Sequence, residues 1–192
     1  YTENWLGANP NSLSAGSYSY IVTDTNGCSN TGSVSITEPN ILNTNKTQTN
    51  VDCNGNNTGS VILSISGGTQ PYIEDWLGAI PNALSAGSYS YIVTDINGCS
   101  NTGSVIITEP NALIINLDTI IDVSSYNGND GEIHISSIGG VINYSYIWSG
   151  PTGYSSTSED ITSLISGIYN VTLIDGNNCI ATNSFFVDEP PS

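Results

Sequence analysis

The chain has 192 residues, of which 17 are Asp or Glu, one is a lysine (Lys46) and none is Arg, so the formal net charge is -16 although only 9% of residues are charged. There is no basic footprint to hold phosphates or anionic headgroups and no run of 18 apolar residues, so nucleic acid as a partner and direct membrane insertion are both excluded. Hydrophobic content of 38%, with 11 Tyr and 3 Trp, is enough for several small cores beneath a surface of Ser, Thr, Asn and Gly.

Residues 1–40 recur as 72–111, 71 positions downstream, with 34 of the 40 positions identical. Trp5, Cys28 and Glu38-Pro39 return as Trp76, Cys99 and Glu109-Pro110, and a diverged third copy carries Trp148, Cys179 and Glu189-Pro190. The chain therefore divides into three parts: 1–40, the C-terminal part of a truncated repeat; 41–111, a complete repeat; and 112–192, a diverged repeat. Tyr1 aligns with Tyr72, which implies that roughly thirty residues of the first unit precede it.

The pattern within each unit is that of short strands, rich in Val, Ile, Tyr and Thr and punctuated by Gly, Asn and Pro, with no helical periodicity. In Gly59–Ser66, Val61, Leu63 and Ile65 fall on one face and the serines on the other, which predicts a half-buried strand. The next informative position is Glu74, with its counterpart Glu3. Counting back by two from Trp76 places it inward, where a bare carboxylate is costly, so a bulge at Glu74-Asp75 that swings it out is expected; a cation or sugar ligand is the alternative role. Trp76, like Trp5 and Trp148, reads as a core indole, with a sugar-stacking platform as the alternative. Leu84-Ser85-Ala86-Gly87-Ser88-Tyr89 recurs as Leu13–Tyr18 and Leu164–Tyr169 and resembles the tyrosine corner of immunoglobulin-like sandwiches, which assigns Tyr18, Tyr89 and Tyr169 to the core. Ser88–Asp95 then turns Tyr89, Tyr91 and Val93 inward, and Val105 and Ile107 do the same in the last strand. Ser35 and Ile106, one of the six mismatches, occupy an outward position.

In the third unit, Asp118-Thr119-Ile120 resembles a bacterial O-glycosylation sequence, with Thr119 as acceptor. His134, the single histidine, falls on the outward face beside Ile133 and Ile135, with no evident partner. Between Trp148 and Tyr169 this unit gains eight residues relative to Trp76 and Tyr89, around Ser149–Asp160, a stretch resembling the corresponding loop of PKD-type sandwiches. The fold class is thus all-β: tandem immunoglobulin-like or PKD-like β-sandwich repeats of about 71 residues in an extended array.

Cys53, Gly67-Gly68, Pro71-Tyr72, Trp76, Leu84-x-x-Gly87-x-Tyr89, Thr94-Asp95-x-Asn97-Gly98-Cys99 and Thr108-Glu109-Pro110 together resemble the SprB repeat of giant cell-surface adhesins in gliding Bacteroidetes. The resemblance covers repeat 2 throughout and repeats 1 and 3 less well; Ser125 stands where repeat 3 should carry its first Cys. It implies export by the type 9 secretion system, an extracellular location attached to the outer membrane, anchoring and gliding-machinery partners contacted through other parts of the protein, and adhesins that move along the cell.

Four cysteines allow three complete pairings and suit an oxidising compartment. If one short strand separates the Trp76 and Tyr89 strands, Cys53 and Cys99 share a pole and can bond, closing a loop of about 47 residues for roughly 4 kcal/mol. Cys28 then pairs upstream, and Cys179, facing Ser125, is left free. The other reading keeps all four as thiols. The same pole would gather Asp52, Asn54, Asn56, Asp95 and Asn97, oxygen donors that suit calcium, the only cofactor the sequence suggests. Asn57 stands where a calcium loop wants Gly, and plain turn chemistry accounts for the same residues. The Glu38-Pro39-Asn40 and Glu109-Pro110-Asn111 junctions are a second candidate cation site.

No Ser-His-Asp set, His-rich metal cluster, phosphate loop or Cys-His pair is present, and near-identical duplication favours repeated structure over a repeated active site, so no enzyme is expected. The expected function is that of a repeat segment of a large secreted surface adhesin, acting as stalk and multivalent attachment in gliding motility on a surface polysaccharide or solid substratum. A carbohydrate-binding module array and a passive surface filament are the alternatives.

Overall fold

The computed structural model describes Tyr1–Ser192. Fifteen strands and one short 3-10 turn make up the chain, with no α-helix. Repeat 1 contributes β1 (Thr2–Asn4), β2 (Gly16–Thr23) and β3 (Ser29–Ile36), and repeat 2 contributes β4 (Asn43–Thr49), β5 (Ser60–Ser66), β6 (Tyr72–Asp75), β7 (Gly87–Asp95) and β8 (Ser100–Ile107). Repeat 3 contributes β9 (Ile114–Ile121), β10 (Gly131–Ile138), β11 (Ser145–Ser149), β12 (Ser155–Ser156), β13 (Ile161–Leu164), β14 (Gly167–Ile174) and β15 (Ile180–Val187). Repeat 3 folds these into one three-stranded sheet ordered β13-β10-β9 and one four-stranded sheet ordered β12-β11-β14-β15. In repeat 2 the same plan gives β4-β5 and β6-β7-β8, while repeat 1 presents the single sheet β1-β2-β3. The small antiparallel sheets are those of β-sandwich domains, as the sequence predicts.

Period-two alternation decides which side chains go inside. Val61 is buried and Leu63 and Ile65 half-buried, while Ile62 is exposed. Along β7, Tyr91, Val93 and Asp95 are buried and Tyr89 half-buried, and along β8 Val105 and Ile107 are buried with Ile106 outside. Repeat 3 centres its core on Trp148, Tyr169, Ile133, Leu164, Val171 and Leu173, each at most 1% exposed. The eight extra residues of this repeat build an added layer of edge. Pro151–Gly153 form the 3-10 turn, β12 pairs with β11, and β13 pairs with β10, where repeat 2 makes only the bridge Gly59–Leu84.

The tyrosine corner forms in all three copies. Tyr18, Tyr89 and Tyr169 donate their hydroxyls to the carbonyls of Ser14, Ser85 and Ile165, four residues back, at 3.1, 3.1 and 3.0 Å. Of the predicted core aromatics, Trp76, Trp148 and Tyr169 are buried, whereas Tyr89, Trp5 and Tyr18 are only half-buried. For Trp5 the reason is local. It lies with Tyr20, at 5.0 Å between ring centroids, on the face of β1-β2-β3 that borders an open groove with Glu3, Val22 and Val34.

Glu74 avoids burial, and its counterpart Glu3 does so without a bulge. The Glu74 carboxylate is exposed and accepts the Trp76 indole N–H at 3.2 Å, and Glu3 does the same for Trp5 at 3.2 Å, with β1 and β2 in unbroken register. In repeat 3, Tyr146 takes the inward place and Trp148 donates to Ser158 O instead.

The Gly-Gly turn is a place where only glycine fits. A Cβ on Gly139 would meet Ala112 O at 1.8 Å, and one on Gly67 would meet Ile41 O at 2.0 Å, at φ of +81° and +72°. Chain contacts divide the protein into two compact units: Tyr1–Thr44 with Ile65–Ile73 and Val93–Asn101, and Asn45–Ser64 with Glu74–Ile92 and Thr102–Ser192. The cut runs through repeat 2, not between repeats. One end of that repeat is tied to the linker Asn40–Leu42, through Gly68 N–H to Asn40 O and Asn101 Nδ2 to Leu42 O. The other is tied to repeat 3 by the bond described next.

Candidate functional site: the cysteine-bearing turns and the linker

Each repeat carries the same tight turn between its last two strands. Asp24, Asp95 and Asp175 place one carboxylate oxygen on the N–H groups two and four residues ahead: Asn26 and Cys28, Asn97 and Cys99, and Asn177 and Cys179, all at 2.8–2.9 Å. The Asp N–H donates in return to the Cys carbonyl at 3.0, 2.9 and 3.0 Å. The turn needs a positive φ before the Cys, met by Gly27, Gly98 and Asn178 at +87°, +84° and +63°; Asn is among the few other residues that tolerate it. The second oxygen of Asp95 accepts from Thr69 N–H, and that of Asp175 from Val141 N–H.

These donors explain how a buried carboxylate stays charged. The Thr69 N–H, foremost, with those of Cys99 and Asn97, holds Asp95 below the usual carboxylate range against burial. For Asp175, burial is the largest single influence and pushes upward, but the N–H groups of Val141, Cys179 and Asn177 together outweigh it.

The second component is the loop before β5. Asp52 accepts from Thr58 Oγ1 at 2.6 Å, from its neighbour Cys53 N–H at 2.7 Å and from Asn56 Nδ2 at 3.4 Å, and the Thr58 hydroxyl is the main influence holding its carboxyl low. The loop then grips the linker that leads to repeat 3: Gly55 N–H donates to Glu109 Oε2 at 2.6 Å and Asn54 Nδ2 to Pro110 O at 3.1 Å. Repeat 3 repeats the first of these contacts, with Asn127 N–H on Glu189 Oε2 at 2.8 Å.

The disulfide joins loop and turn across the repeat boundary. Cys53 is bonded to Cys179, with Cα atoms 5.6 Å apart and a sequence separation of 126, not to Cys99. Asn177 Nδ2, beside it, donates to Asp52 O at 2.9 Å. Cys179, expected to be free, is therefore bonded, and Cys28 and Cys99 are exposed thiols. The expectation failed on the direction of one strand. Cys53 precedes the first residue of β5, whereas the Cys99 turn is bonded to Thr69, just past its last, and a seven-residue strand spans about 23 Å, far beyond disulfide reach.

The oxygen donors predicted for calcium follow the same division. Asp52 and Asp95 share no hydrogen-bond partner, and Asn97 Nδ2 turns to Thr69 Oγ1 while Asn54 and Asn56 turn to Pro110 and Asp52. Their carboxylates serve turn N–H groups, and no three His, Cys, Asp or Glu side chains converge to hold a metal. Thr119 is exposed on β9, an edge strand, next to Asp118, whose carboxylate accepts from Ser136 Oγ.

Sequence reasoning missed the partners of His134. Its Nε2 lies 2.8 Å from Glu132 Oε2 and its Nδ1 3.1 Å from Asp160 Oδ2, and hydrogen bonding to Asp160 first, then Glu132, raises its pKa. Glu132 was legible as a same-face neighbour two residues away on a strand; Asp160, which comes from the inserted loop, was not.

Repeated sandwiches joined by a linker, a gripping loop and a cross-repeat disulfide define a tandem modular β-protein. Within it, residues 45–73, the segment from β4 through the Cys53 loop and β5 into β6, match the family model of the SprB repeat. That repeat points to a cell-surface, adhesin-like protein. No curated protein matches the chain. No helix is long and apolar enough to cross a membrane.

Proposed function

We propose that the chain is a repeat segment of a large secreted cell-surface adhesin, non-catalytic, serving as stalk and multivalent attachment in gliding motility. The observation that carries this reading is the SprB-repeat match lying inside a tandem array of near-identical units. Export through the type 9 system and attachment to the outer membrane follow from the family resemblance, and a surface polysaccharide or solid substratum is the partner. Repetition suits such work, because many modest contacts on one chain add through effective concentration. The covalent bond between repeats 2 and 3 suits a segment that transmits pull.

A carbohydrate-binding module array is the second reading, favoured by the aromatic groove of Trp5 and Tyr20 in repeat 1. Against it, the equivalent Trp76 and Trp148 are buried and cannot stack on a sugar. Time-lapse imaging of live source cells labelled with an antibody against this segment tests the proposal. Label travelling along the cell at gliding speed is expected; label that stays in place sinks the gliding role and leaves a static stalk or filament.

A further inference from the structure

We propose that Cys99 and Cys28 are the acceptor halves of further inter-repeat disulfides, each built to bond the cysteine of a Val51–Thr58-type loop from the repeat before it in the same polypeptide. The bond between Cys53 and Cys179 supplies the rule: the loop cysteine of one repeat joins the turn cysteine of the next. Cys99 and Cys28 occupy the same turn as Cys179, with the same two N–H donors on the Asp carboxylate and the same Asp-to-Cys backbone bond.

A groove beside Cys99 provides the independent observation. At the formed junction, Cys53, Asn54 and Asn56 of the loop line a cavity together with Ala112, Leu113, Asn178, Cys179 and Ile180. Around Cys99, the equivalent residues Ile41, Leu42 and Ser100, with Glu38 and Pro39, line a cavity of about 390 Å³. Glu38 and Pro39 correspond to Glu109 and Pro110, whose carboxylate and carbonyl receive Gly55 and Asn54 of the loop at the formed junction. Linker, apolar wall and thiol therefore stand ready for the same loop. Its occupant is a Cys-bearing loop and not a small molecule, because the loop supplies both the thiol and the two donors that this linker accepts.

Each bond forms by thiol–disulfide exchange. Two cysteine thiols give up two protons and two electrons, and one disulfide oxidant such as oxidised glutathione is reduced to its two thiols. Ser125 replaces the loop cysteine in repeat 3, so repeat 3 has no thiol to pass forward and the ladder stops there.

The test grafts a second copy of residues 41–71 ahead of Tyr1, which completes repeat 1 with its own loop cysteine, and refolds the chain in a glutathione redox buffer. The parent, with Cys28 and Cys99 as exposed thiols, is expected to label with maleimide at two sites. The grafted chain is expected to label at one, Cys28, although it has gained a cysteine, and a non-reducing peptide map is expected to link the grafted cysteine to Cys99 alongside the Cys53–Cys179 pair. Cys99→Ser in the grafted chain then frees the grafted thiol and restores two labels. Any map in which the grafted cysteine is not on Cys99 overturns the proposal, whether it stays reduced or bonds Cys28 within its own repeat. A Cys53–Cys99 bond in the parent overturns it equally.

Discussion

His134 stands between two carboxylates, and only an imidazolium can donate from both ring nitrogens at once. Its pKa is raised by Asp160 and Glu132, so folding is linked to its protonation. The contribution is fully present below the ordinary histidine value of 6.5 and is lost as pH rises through the higher folded value. His134→Gln is therefore expected to melt below the parent at pH 6 and to match it by pH 9; a deficit that is the same at both pH values contradicts the pairing. Tyr169 poses a simpler case. Its hydroxyl is buried with the ring and satisfies Ile165 O, so Tyr169→Phe is expected to cost about 1 kcal/mol or somewhat more in urea unfolding. The half-buried Tyr18 of repeat 1, which makes the same bond closer to solvent, should tolerate the change with a smaller loss.

At the scale of elements, β4 answers the problem of a bare sheet edge. From this strand Lys46 Nζ donates to Ser104 O and Gln48 Nε2 to Ile106 O at 2.9 Å, so side chains cover carbonyls along β8 that would otherwise invite another strand. Lys46→Ala with Gln48→Ala is expected to lower stability by about 1–2 kcal/mol and to raise light scattering at high concentration. Unchanged scattering would remove the edge-covering role. The Gly-Gly turn tests the backbone: Gly139→Ala puts a methyl onto Ala112 O at a left-handed φ, and a loss of about 2 kcal/mol or more is expected.

Across the whole molecule, the Cys53–Cys179 bond closes a loop that spans repeats 2 and 3. In the chain-entropy model a loop of this size is worth about 5 kcal/mol, so Cys53→Ser, or reduction of the parent, is expected to lower the unfolding midpoint of repeats 2 and 3 together. Mutating Cys99 should leave that transition in place. Calcium is expected to leave the melting temperature where it was, since the Asp52 and Asp95 carboxylates already serve turn N–H groups; a clear rise on titration would restore the cation reading.

Period-two patterning and the tyrosine corner made strands and inward faces legible from residues alone, because each depends on neighbours a few positions away. Val61, Tyr91, Val93, Val105 and Ile107 went inside as their parity required. Pairings over long sequence distance were not legible in this way. Cys53 finds Cys179 and His134 finds Asp160 only once loops from different strands, or different repeats, are brought together, and no spacing rule encodes which end of β5 faces which turn. Glu74 shows the same limit on a small scale: parity placed it inward, whereas its carboxylate is exposed and accepts the indole N–H of Trp76, a partner that spacing does not reveal.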